Sequence, residues 1–101
     1  MDQDAFQRTL RQARDLGQHY RHLKHPQLEA IAVNRRQRLE ERLGAILIMA
    51  TRRTARLDHL EEMLEGLPAE IAAHAVRRLH NYGRAEASPF LQRFGLNPAT
   101  P

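Results

Sequence analysis

Cysteine and tryptophan are both missing from this chain of 101 residues, and Lys24 is its only lysine. The lack of cysteine excludes disulfide bonds, cysteine-based metal sites and cysteine nucleophiles. The single serine, Ser88, stands before Pro89 in a pattern typical of a helix N-cap, so it is a poor candidate nucleophile. No glycine-rich phosphate loop and no close acid pair in apolar surroundings occurs. We therefore expect no enzyme activity and no cofactor.

Long apolar runs are also missing. The longest, from Leu43 to Ala50, falls far below the roughly 20 residues that a membrane-spanning helix needs. The first ten residues are polar and lack the apolar core of a secretory signal. These features predict a cytoplasmic protein that has no membrane partner.

Histidines are present in one short cluster, His19, His22 and His25. On a helix, three residues spaced by three fan out over about 120°, so at most two of them can share one metal ion. Since no cysteine supports them, we expect no metal site.

The chain is basic, with a net charge of +4 and a pI near 10.6. Its cations are almost all arginine, whose planar fork suits phosphate and carboxylate groups. A GC-rich genome would give the same bias without functional meaning. In either case, a basic protein favours an anionic partner.

Prolines and glycines divide the chain into segments, and apolar residues recur within each segment at a spacing of three or four. Proline suits the first turn of a helix, and glycine suits the residue after its end. The pattern predicts an all-α bundle with one domain at 1–96 and a tail at 97–101. The predicted helices are three main ones at about 3–24, 27–65 and 68–82, and a short C-terminal one at about 89–94.

The segment 27–65 carries a heptad-like apolar seam that is interrupted at Arg53. A continuous helix of this length would measure about 60 Å, whereas a compact chain of this size is only about 35 Å across. Either the helix bends or breaks at Gly44, or it is whole and a partner covers the overhang. We favour a continuous helix, straight or bent, and with it a protein partner or a homo-oligomer.

Five arginines would line one edge of that seam if the helix is straight, with most of the carboxylates on its other edge. They are Arg35, Arg38, Arg42, Arg53 and Arg56. Such an edge can be a solvated flank, a surface that pairs with the acidic flank of another helix, or a stripe that follows nucleic-acid phosphates.

Two functional hypotheses follow. The first is a basic accessory subunit that binds DNA or RNA backbone through these five arginines within a ribonucleoprotein or DNA-processing assembly. The alternative is an adaptor, chaperone or inhibitor, for example from a mobile element, that binds proteins through Leu57, Leu60, Leu64, Phe90 and Phe94. The segment FGLNPAT near the end resembles a C-terminal segment of some phage terminase small subunits, but the rest of the chain does not follow that family.

Overall fold

The computed structural model describes residues 1–97, which form helices and connectors and contain no strand. The all-α prediction is confirmed. Six α-helices and one 3₁₀ turn follow each other along the chain: α1 (Gln3–Tyr20), α2 (His25–Val33), α3 (Leu39–Ala50), α4 (Leu60–Leu64), α5 (Ala69–Asn81), the 3₁₀ turn (Ala85–Ala87) and α6 (Ser88–Arg93). Of the predicted tail, residues 98–101 lie outside the described part of the chain.

The ends of several helices follow from local side-chain chemistry. Asp2 caps α1, because its Oδ1 accepts a hydrogen bond from the backbone N–H of Ala5 at 2.7 Å. The side chain of Gln27 in α2 accepts a hydrogen bond from the backbone N–H of Lys24 at 2.8 Å. Gly66 follows α4 with φ +81°, a left-handed conformation that glycine adopts without steric cost.

The prediction of a single helix over 27–65 is wrong, because this part of the chain forms the three helices α2, α3 and α4. The first break comes at Asn34, whose backbone is extended and whose Oδ1 accepts a hydrogen bond from the N–H of Arg36 at 3.0 Å. The second comes at the end of α3, where a connector begins at Thr51 and runs to His59. Gly44, the expected bend, lies inside α3.

These two breaks fold the segment back on itself. The Cα trace has principal extents of 33 × 32 × 21 Å, so a rod of about 60 Å does not fit within the molecule. The apolar residues of the seam are nevertheless mostly buried, because each of the three short helices turns its own apolar stripe toward a common core.

The core is built around α3, which packs against α1, α2 and α5. Helices α1 and α3 approach closely at Gly17 and Gly44, since a Cβ atom on Gly44 would lie 2.9 Å from the carbonyl oxygen of Ala13. Helix α4 packs on α2, and the 3₁₀ turn and α6 pack on α5. Because α1 and α5 both lie on α3, a depression remains between them.

Candidate functional site

The five arginines predicted to bind nucleic-acid phosphates do not lie on one surface. Arg42 is buried, and its guanidinium donates hydrogen bonds to three backbone carbonyls. The acceptors are the oxygens of Ala32 at 3.0 Å, Met63 at 3.1 Å and Glu65 at 2.8 Å. These carbonyls belong to the last residues of α2 and the end of α4, where a helix leaves its acceptors unpaired. Arg42 therefore joins two helix ends instead of facing solvent.

Burial acts on the protonation of this guanidinium. Desolvation lowers the pKa of Arg42, the nearby charge of Arg35 lowers it further, and Glu65 raises it. The guanidinium stays charged at neutral pH, since arginine starts from a very high pKa. Three carbonyl oxygens and the negative ends of two helix dipoles stabilise this charge in place of water.

The other four arginines are exposed and lie on two different connectors. Arg38 bonds to Glu41 at 2.8 Å, and Arg56 pairs with Asp58 at 3.2 Å. The guanidinium of Arg35 lies against Gly66, where an added Cβ would meet its Nε at 2.9 Å. Arg53 lies on the connector between α3 and α4. The continuous arginine edge expected from the sequence is therefore not formed.

The predicted protein-interface residues are also mostly in the interior. Leu57, Leu60 and Leu64 are 3%, 3% and 6% exposed and belong to the hydrophobic core. Phe90 is 8% exposed and Phe94 is half-buried against the same core. Within this chain they hold the connector, α4 and α6 in place and leave little apolar surface for a partner.

A second buried arginine, Arg84, was not recognised from the sequence. Its guanidinium donates to the carbonyls of Met49 at 2.7 Å and Arg52 at 3.1 Å, and also to that of Ala55. It therefore holds the C-terminal end of α3 and the connector that follows. The nearby carboxylate of Glu86 accepts a hydrogen bond from the N–H of Leu57 at 3.2 Å, which fixes the same connector.

A concave surface with a volume of about 420 Å³ lies between α1, α3 and α5. We call it the basic cleft. Four groups that are or can become cationic line it: Arg14, Arg21, His74 and Arg78. Its lining also includes three half-buried apolar side chains, Leu10, Leu47 and Ile48, which we call its floor.

No carboxylate is found among the lining residues that the structure describes. The three arginines are exposed, so they can reach a ligand. Arg78 also lies over the ring of Tyr82, with its Cζ 5.5 Å from the ring centroid, which restrains it at the rim. The cleft therefore combines three exposed arginines, which we call its rim, with the apolar side chains of its floor.

His74 lies between these charges and is half-buried. Burial lowers its pKa from the ordinary value of 6.5, and the charges of Arg78 and Arg14 lower it further. Its ring meets Phe6 edge to face, with centroids 6.2 Å apart. In the unoccupied cleft, His74 is consequently neutral near pH 7.

The sequence contains a partial signal for this cleft. Arg14 and Arg21 are seven residues apart, and Arg21 continues the helical backbone conformation just after α1, so both lie on the same side of α1, about 10 Å apart. Arg78 lies on α5, far away in sequence. Only the packing of both helices on α3 brings the three together, so reading each helix alone could not identify the site.

Two other kinds of feature, a metal-ligand cluster and a membrane-spanning helix, are not found among residues 1–97. Within that range no group of three or more histidine, aspartate or glutamate side chains is placed to hold a metal ion. Among the helices described there, none is long and apolar enough to cross a membrane. Comparisons with protein-family models, curated proteins and solved structures gave no match.

Proposed function

We propose that this chain is a non-catalytic adaptor that holds an acidic, amphipathic segment of a partner protein in the basic cleft. The observation that carries the proposal is the combination of an arginine rim with an apolar floor on one concave surface. An amphipathic helix would insert apolar residues into such a groove and present carboxylates to its edges.

The floor supports a protein segment as the anionic partner more than a nucleic acid. Leu10, Leu47 and Ile48 are half-buried in the chain alone, and an apolar side chain from a partner would remove their remaining surface from water. A phosphate backbone has no apolar group to place there and would lose hydration against this surface. The floor therefore favours a protein segment.

The rim has a spacing that suits a helical partner. Arg14 on α1 and Arg21, the residue that follows α1, are seven residues apart, which is also the interval between carboxylates one heptad apart on another helix. Arg78 stands across the cleft on α5, so a bound segment would meet cations on both sides. Rim charges of this kind increase the rate of encounter and fix orientation more than they add affinity.

Binding of DNA or RNA backbone within a larger assembly is the second candidate. It is favoured by exposed arginines on the connectors, among them Arg35, Arg36 and Arg53, and by the net charge of +4. Arg42 no longer belongs to this set, because it is buried. The remaining contacts would be mostly to phosphates and would carry little sequence information.

One binding experiment separates these candidates. The protein probe is a synthetic helical peptide of leucine and glutamate, about two heptads long, with leucine at positions a and d. The nucleic-acid probe is mixed-sequence DNA or RNA of similar length. Both carry a fluorophore and are titrated with the chain at low and moderate salt.

The variant that tests the rim is Arg14→Ser, Arg21→Ser, Arg78→Ser. The matched control, Arg8→Ser, Arg11→Ser, Arg36→Ser, removes the same charge from exposed positions that do not line the cleft. Because exposed ion pairs contribute about 0.2–1 kcal/mol each, we expect the rim variant to weaken peptide binding about tenfold. The control variant should bind the peptide nearly as tightly as the natural chain.

Several outcomes would overturn the proposal. Equal loss of peptide binding in both variants would show that only net charge matters. Binding of nucleic acid without any binding of the peptide would establish the second candidate instead. In that case, three phosphate contacts would give a log–log salt slope of about −2.7.

A further inference from the structure

His74 is the one group lining the basic cleft whose ordinary pKa lies near neutral pH. It is half-buried, so a change in its charge would be felt strongly by any group placed in the cleft. Its ring meets the ring of Phe6 edge to face, and the charges of Arg78 and Arg14 act on it.

The charged groups around His74 come from α5 and from α1 with the residue that follows it. Arg14 belongs to α1, Arg21 follows α1, and Arg78 belongs to α5. Glu70 lies one turn before His74 on α5, where it pairs with the amine of Met1 at 3.6 Å. Helix α3 and the residue that follows it contribute Leu47, Ile48 and Thr51 to the cleft, and none of these titrates.

We propose that His74 couples occupation of the basic cleft to the uptake of one proton, so that an acidic partner binds more tightly as the pH falls. This inference rests on the proposed function, since it assumes an anionic protein segment in the cleft. It assigns to that site a response to pH.

The physical reason is the difference between the empty and the occupied cleft. In the empty cleft, burial and the charges of Arg78 and Arg14 hold the pKa of His74 below 6.5. Carboxylates brought to the rim would offset the two guanidinium charges and favour the imidazolium form, so the pKa rises on binding. A proton is then taken up whenever the pH lies between the two values.

The direction of the effect follows from linkage. Because the occupied state has the higher pKa, the extra affinity is fully present below the pKa of the empty state. It is lost as the pH rises through the pKa of the occupied state. Each unit of difference between the two pKa values corresponds to a tenfold change in affinity.

The experiment uses the full chain and the leucine–glutamate peptide at several pH values between about 6 and 8, well above the ordinary pKa of glutamate. Dissociation constants are measured by titration calorimetry in buffers of different ionisation enthalpy, which counts the protons taken up. Proton NMR of the imidazole of His74 gives its titration directly in the free and the saturated chain. This last measurement needs no variant and stands even if a variant fails to fold.

We expect binding to tighten about threefold or more from pH 7.5 to pH 6, with a higher NMR titration midpoint for His74 in the complex. The His74→Gln variant should lose both the pH dependence and the proton uptake. The control His22→Gln changes an exposed histidine that does not line the cleft, and it should keep both.

The outcomes separate this inference from the proposed function. Peptide binding that is tight but independent of pH, or a pH dependence that persists in His74→Gln, would overturn the role of His74 alone. Absence of peptide binding at every pH would overturn the proposed function, and this inference would fail with it.

Discussion

Replacing Arg42 with methionine tests whether a buried guanidinium holds the ends of two helices together. Methionine has a similar length and is apolar, so the change keeps most of the packing and removes the donors. Arg42 donates to the carbonyls of Ala32, Met63 and Glu65, and the first two of these bonds are buried. The substitution leaves these acceptors without their donor.

The size of the effect follows from those three bonds. A buried acceptor that loses its partner costs about 1–3 kcal/mol. Taking about 1–1.5 kcal/mol for each carbonyl, because the bond to Glu65 is only partly buried, gives a loss of about 3–4.5 kcal/mol. A domain of this length is stable by about 5–15 kcal/mol, so the variant should be severely weakened.

Urea unfolding followed by circular dichroism measures the loss, with Arg38→Met as the matched control. Arg38 is four residues earlier on the chain, and its guanidinium forms an exposed ion pair with Glu41 at 2.8 Å. Such a pair contributes at most about 1 kcal/mol, so the control should unfold almost as the natural chain does. A second variant, Arg42→Lys, keeps the charge but cannot form the same fork, and it should restore only part of the stability.

The reasoning would be refuted by Arg42→Met and Arg38→Met losing equal stability, or by Arg42→Met unfolding at the same urea concentration as the natural chain. Either result would mean that the carbonyls find other donors or water.

Two further predictions concern the α1–α3 contact and the pH dependence of stability. Gly44→Ala should destabilise the chain by about 1–2 kcal/mol, because its Cβ would lie 2.9 Å from the backbone oxygen of Ala13. In the matched variant Gly17→Ala, the new Cβ meets the side chain of Ile48 at 3.3 Å, so urea unfolding should show little loss of stability. A larger loss of stability in Gly17→Ala than in Gly44→Ala would contradict this packing. The hydrogen bond and charge of Glu29 raise the pKa of His59 above 6.5. This pair therefore stabilises the fold below pH 6.5, and its contribution is lost as the pH rises through the raised pKa. The stability difference between the natural chain and His59→Gln should therefore shrink from about pH 5.5 to about pH 8, and a constant difference would show that the pair contributes nothing.

The five arginines illustrate why the site was harder to predict than the fold. Helical periodicity depends on residues three or four apart, and it correctly predicted an all-helical chain. The exposure of an arginine depends on what else lies within reach of its long side chain. For Arg42, the deciding neighbours are the carbonyls of Ala32 and Met63, 10 and 21 residues away.

The segment 27–65 shows the same difference between what local spacing predicts and what tertiary contacts decide. Its apolar seam continues at a spacing of four and three from Leu39 through α3, the connector and α4, so periodicity alone favoured one helix. The breaks depend on weaker features, including the side-chain hydrogen bond of Asn34 and the hold of Arg84 on the end of α3. A straight helix would expose its seam over about 60 Å, and folding it back buries that surface within one chain.

The sequence by itself determined the helical class and the apolar positions of the core, and it placed glycine at the turn after α4. These properties depend on backbone sterics and on local spacing. The tertiary structure alone decided which arginines are buried, which are paired, and which meet across the basic cleft. A guanidinium can be satisfied by water, a carboxylate or a helix end, and only the packing of distant helices determines which of these lies beside it.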